Sequence, residues 1–343
     1  MAVKKSSPLA WVGSVTAVFS LIAGVWGGWT FFSNQLAKRR ALDQYLAAEA
    51  VQFRASDYDS AWKTLTQAAS VNASSARIRE AQQDVAMAWL ENIHASGGQT
   101  FTSIVDKLEP SLTQGVAGSK NPQRQADLLA HIGWSYFLRR RESPSSPDPA
   151  SAYRDALAKD PANPYAHAMW GHWILWNHQD LGKATEHFNA ALASPRTNLR
   201  PYIRSLQLSA LNNLQTPEGA AEIIRVTNAM RTEQSTLDPS WPHRILNLYW
   251  DHVVEPNENR NAFLTAVPPL EQLSTFDWIL QQADASDRDS LTNSYIRSAL
   301  LESAGRRDEA LTGYRKLQTR IGSNPGTLLD DTRKAIARLT ANK

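Results

Sequence analysis

Four histidines crowd one stretch of the chain, His167, His172, His178 and His187, and imidazole is the side chain best suited to hold a transition metal or to exchange a proton near neutral pH. On a single helix, metal ligands must fall three or four residues apart to share a face. His167 and His172 are five apart and His178 follows six later, so the set reads as surface and packing histidines. No metal or cofactor is expected. The other candidates are cationic. Arg139, Arg140 and Arg141 are consecutive, and Arg196, Arg200 and Arg204 step by four, a spacing that would line one helical face for phosphate or an acidic peptide. The plain alternative for both is a solvated helix surface. No HExxH, GxxxxGK[ST] or GxSxG pattern occurs, and the absence of cysteine removes thiolate ligands, disulfides and cysteine nucleophiles. No catalytic residue is assigned, and the chain is read as a non-enzyme.

Bulk charge adds little. With 36 Lys+Arg against 33 Asp+Glu the formal net charge is +3, too small a field to argue for nucleic acid.

The residues that must position these side chains repeat with a helical period. From Asn163 to Ala193, Trp170, Gly171 and Ile174 are followed by Ala184, Phe188 and Ala191. The last three share one helical face, where small residues admit a partner helix and the aromatic fills the space between pairs. This run resembles a tetratricopeptide repeat (TPR), a helix-turn-helix unit of about 34 residues. The same pattern marks Tyr45, Ala48, Tyr58, Ala61, Leu65 and Ala68, with Ser56-Asp57 as the cap of the second helix, and returns in Gly133, Trp134, Tyr153 and Ala156 up to Asp160-Pro161. It recovers at Leu301, Gly305, Ala310 and Tyr314. Between the clear units, a helix over 75–94 is followed by a short return helix from Phe101 that is expected to stop near Pro110. Pro201–Leu214 and Pro217–Arg231 form a weaker pair, and residues 235–290 fit the period worst. A last helix from about Thr327 carries charge on one face, as a terminal cap would. No β-branched alternation competes. The expected fold is all-α, a TPR-like right-handed superhelix of antiparallel helix pairs over 41–343.

An N-terminal tail, 1–8, precedes a run from Leu9 to Phe32 without an ionisable side chain. At a helical rise of about 1.5 Å per residue this run spans roughly 36 Å, enough to cross a bilayer with some tilt. Trp11 near one end and Trp29 near the other suit the membrane interfaces, and Gly24-x-x-x-Gly28 supplies a groove at which two such helices can meet as a homodimer. A basic juxtamembrane segment follows at 33–40, where Lys38, Arg39 and Arg40 need no partner beyond anionic lipid headgroups. Flanking cations tie across the span, Lys4, Lys5 and the amino terminus against that trio, and the compactness of the trio tilts the body toward the cytoplasmic side of a bacterial inner membrane.

In TPR proteins the first helix of each pair lines an inner groove, so the resemblance implies that Trp173 and Trp176, off the Trp170-Gly171 packing face, contact a partner. The function expected is a membrane-anchored scaffold or adaptor that binds a protein or peptide. The alternative is a regulatory or chaperone-like subunit of a bacterial envelope complex, and an enzyme or a nucleic-acid binder stands behind both.

Overall fold

Side-chain caps set the helix boundaries. Asp57 accepts from the Ser60 N–H, Thr100 from Ser103, Asp148 from Ala150, Asn163 from Ala166, Asp180 from Lys183 and Thr216 from Gly219, each satisfying an N–H that the first helical turn leaves open. Proline at the first or second position follows at Pro149, Pro164 and Pro217, where its missing N–H costs nothing. The computed structural model describes residues 35–93, 100–214, 216–254, 263–323 and 325–341. Within them every regular element is helical. The Leu9–Phe32 run, with Trp11, Gly24, Gly28 and Trp29, lies outside the described residues, and among those described no helix is long and apolar enough to cross a membrane.

The chain divides into two compact units, one of residues up to Lys120 with Leu138–Ser145, the other Asn121–Phe137 with Ser146–Lys343. In the first, α1 (35–54), α2 (Tyr58–Val71), α3 (Ala76–Glu91) and α4 (Phe101–Gly118) stack in order. Leu42, Ala68 and Ile78 form one buried cluster beside Tyr45, and Ala61, Leu65 and Val85 form another beneath Leu46, Phe53 and Trp62. The Ala61, Leu65 and Ala68 stripe is the one the sequence pattern marks. Helix α4 differs from expectation. It runs through Pro110 to Gly118, because Leu112 and Gly115 continue the buried stripe of Ile104, Val105 and Leu108. Packing on both sides of the proline outweighs the one backbone hydrogen bond it removes.

The second unit takes α5 (Pro122–Arg140) as far as Phe137, then α6 (Pro149–Lys159), α7 (Pro164–His178) and α8 (Leu181–Leu192). A 3₁₀ turn, Thr197–Leu199, leads into α9 (Arg200–Leu211) and α10 (Pro217–Thr232). Ala184, Phe188 and Ala191 are buried as expected, against α7. A Cβ at Gly171 would lie 3.1 Å from the Ala184 carbonyl oxygen and 3.1 Å from the Phe188 ring, so glycine sets how closely α7 and α8 approach. Gly133 does the same for α5 and α6, since a Cβ there would sit 2.5 Å from the Tyr153 ring. The irregular stretch becomes α11 (Trp241–Tyr249), a π-helical turn at Trp250–Val254, α12 (Pro269–Gln282) and the short α13 (Ala285–Arg288). Pairing resumes with α14 (Leu291–Ser303), α15 (Arg307–Ile321) and α16 (Thr327–Ala341). In α16, Leu329, Thr332, Ala335 and Leu339 are buried, while Asp330, Arg333 and Lys334 face solvent.

Candidate functional site

Every other helix of the second unit's opening half, α5 then α7 then α9, contributes to one aromatic layer. His172 is 4% exposed and sits edge-on between Trp134, at 5.1 Å, and Phe137, at 4.9 Å. Trp173 lies 6.2 Å from Phe137 and is also 4% exposed, so it belongs to the core. Its expected role in a groove is corrected: three residues after Trp170, it faces α5 and not solvent. Trp176 meets Phe137 edge-on at 5.5 Å yet remains 41% exposed. One face of its indole is supported and the rest is open, the arrangement that makes tryptophan effective at the centre of interfaces.

A polar cluster continues the layer toward the helix N-termini. Tyr165 is half-buried, with His131 of α5 at 4.7 Å, Tyr202 of α9 at 5.8 Å and the Arg196 guanidinium over its ring at 5.1 Å. Arg196 donates to Asp127 at 2.7 Å, and Asn163, which caps α7, donates to the same carboxylate oxygen at 2.7 Å. Burial opposes the charge on Arg196, but Asp127 outweighs it and holds the group protonated more firmly than usual. Asp127 thus ties three segments together from a site 8% exposed.

The four-residue arginine step does not produce one helical face. The 3₁₀ turn separates Arg196 from α9, and Arg204 is gripped by Glu233, the C-cap of α10, through bonds of 2.8 and 3.2 Å. Arg200 reaches back to the Leu192 carbonyl at 3.5 Å. Arg196 and Arg204 are therefore joined to carboxylates of this chain. Sequence spacing concealed this because their partners, Asp127 and Glu233, are remote in the chain.

The Arg139–Arg141 run is likewise engaged within the first unit. Arg139 bridges Asp106 at 2.5 Å and Glu109 at 2.6 Å, beside a cleft of about 670 Å³ that Pro110, Thr113 and Ala117 also line. Burial raises the Glu109 carboxyl above its ordinary value despite Arg139. Arg141 lies over the Phe101 ring at 4.5 Å, and burial lowers its basicity. Glu142 accepts from the Phe101 N–H at 2.7 Å, the Thr102 N–H at 2.9 Å and the Thr102 hydroxyl at 2.6 Å. Desolvation works against this carboxylate, but those bonds at the α4 N-terminus prevail and hold it below the usual range. The long α5–α6 connection is fastened here.

The four histidines separate. His167 of α7 meets His187 of α8, Nδ1 to Nδ1 at 3.0 Å, while His172 is in the aromatic layer and His178 pairs with Asn177 at 3.0 Å. Sequence spacing along one helix missed the His167–His187 contact. The register fixed by Gly171 against Ala184 and Phe188 would have found it, since one turn back on α7 faces one turn on along α8. Among the described residues no group of three or more His, Asp or Glu is arranged to hold a metal.

No protein-family description matches the chain, and no curated protein does. Among solved structures it is similar to a tetratricopeptide repeat protein from Parabacteroides merdae, at 13% identity over 88% of this chain and 100% of that one, with a TM-score of 0.37. A monomeric IFIT1 mutant with Gppp-AAAA overlaps at 13% identity over 87% of this chain and 75% of that one, TM-score 0.30. The TPR domain of P58(IPK) overlaps at 11% identity over 88% and 98%, TM-score 0.19. Overlaps this loose carry no weight for activity or partner, and the helix-pair description of the chain rests on its own packing.

Proposed function

We propose that the chain is a membrane-anchored scaffold that binds a protein or peptide through the α5–α7–α9 face of its second unit, without catalysis. The observation that carries this reading is Trp176: a large indole, 41% exposed, continuous with a buried aromatic layer that holds it rigidly in place. Tryptophan, tyrosine and arginine are the side chains most enriched among the anchors of interfaces. Tyr165 and Tyr202 extend the same face with half-buried rings that carry hydroxyls. Anchoring would come from Leu9–Phe32, with Lys38, Arg39 and Arg40 at the headgroups of a bacterial cytoplasmic membrane and the body on the cytoplasmic side. Confinement to a membrane raises the effective concentration of a partner held there without adding contacts.

Affinity capture with the detergent-solubilised full chain, compared with Trp176→Ala, tests the binding face. Loss of an anchor of this kind weakens a complex by about 2 kcal/mol or more, roughly thirtyfold. A partner recovered equally by both proteins places the binding surface elsewhere.

A further inference from the structure

His167 and His187 are not explained by partner binding, and their contact has unusual logic. The ring centroids are 5.2 Å apart while the two Nδ1 atoms are 3.0 Å apart, so the rings meet end-on. An end-on pair has room for a single hydrogen between its nitrogens. His167 also has Nε2 at 3.0 Å from the Pro161 carbonyl oxygen, which can only accept, so Nε2 carries a hydrogen. In the neutral pair His167 Nδ1 is then the acceptor and His187 Nδ1–H the donor. One added proton is also accommodated: it enters at His187 Nε2, the shared proton moves to His167 Nδ1, His167 donates from both nitrogens as imidazolium and His187 Nδ1 turns acceptor. A second proton puts N–H against N–H.

We propose that this pair is a one-proton lock between α7 and α8, closed when at most one proton is added and released when both rings are charged. Its surroundings favour the closed form at neutral pH. Trp170 covers His187 at 4.7 Å and is itself stacked on Tyr153 of α6 at 6.3 Å. The charged side chains on neighbouring elements are Lys183 and Glu186 of α8 with its cap Asp180, Arg154, Asp155, Lys159 and Asp160 of α6 and its end, and Arg200 and Arg204 of α9; Lys183 is held by Asp180 at 3.4 Å, Arg200 by the Leu192 carbonyl and Arg204 by Glu233. Burial, and after it the His167 charge, pull the His187 value down to about 4. Release of the lock loosens α7, the helix that carries Trp176.

Nitrogen-15 spectra of the histidine-labelled full chain, titrated from pH 8 to 3.5, read the lock directly. Variants at each of the two positions assign the signals. At neutral pH His187 should show the Nδ1–H tautomer and His167 the Nε2–H tautomer, with His187 charging near pH 4 as near-ultraviolet circular dichroism of the tryptophans changes. His187→Gln keeps an N–H donor but cannot charge, and should abolish that dichroism change. An Nε2–H tautomer at His187, or charging near 6.5, would overturn the proposal. So would a pH profile unchanged in His187→Gln; if that variant does not fold, the wild-type tautomers decide.

Discussion

Asp127 shows what a single side chain does in this molecule. Its carboxylate receives Arg196 and Asn163 at 2.7 Å each, so it joins α5 to the cap of α7 and to the turn before α9. Replacing it with alanine leaves a half-buried guanidinium and a fully buried amide without their acceptor. The expected cost is on the order of 2–3 kcal/mol, less than for a fully buried pair because Arg196 keeps some solvent. Urea denaturation of Asp127→Ala against wild type measures it, and a loss under 0.5 kcal/mol would mean that water replaces the carboxylate. Glu142 is a second case. Its lowered value means that its contribution is present above the unfolded value near 4.5 and fades as pH falls through the folded one. Glu142→Gln should therefore lower stability at pH 7, and the loss should shrink as pH falls below about 4.5. Neither residue stood out in the sequence, because each acts on partners more than thirty positions away.

Helix pairs were the legible scale. Ala184, Phe188 and Ala191 identified both the element and its buried face, since a period near 3.6 leaves few alternatives for small and aromatic residues that recur by four and three. Phe188→Ala should cost about 3–5 kcal/mol, as deletion of a buried ring leaves a cavity. Gly133→Ala tests the opposite error, since the added methyl meets the Tyr153 ring; overpacking of this kind costs about 1–3 kcal/mol. Thermal melts of the two variants check both figures, and a neutral Gly133→Ala would show that α5 and α6 separate freely. Pro110 was misleading for a physical reason: local propensity ends a helix at proline, but a buried stripe on either side keeps α4 whole. Trp173 and Trp176 show the resolution of periodicity. Both lie off the Trp170 face and both meet Phe137, yet Trp173 is 4% exposed and Trp176 41%, a difference that periodicity does not carry.

At the scale of the whole molecule, the body carries its own apolar clusters in each of two units, and lipid is not needed to cover them. Full-length protein should stay in the membrane pellet after carbonate washing, while a chain starting near Asn34 should be released as a helical protein. Carbonate release of the full chain would remove the anchor from the account. Its central claim is that a partner sits against Trp176. Placing the photo-crosslinker p-benzoylphenylalanine at position 176 of the full chain, and at exposed Lys316 of α15 as control, tests this in native membranes. The account predicts a discrete crosslinked species from position 176 that is missing from position 316. Equal labelling from the two positions, or none from either, would contradict it.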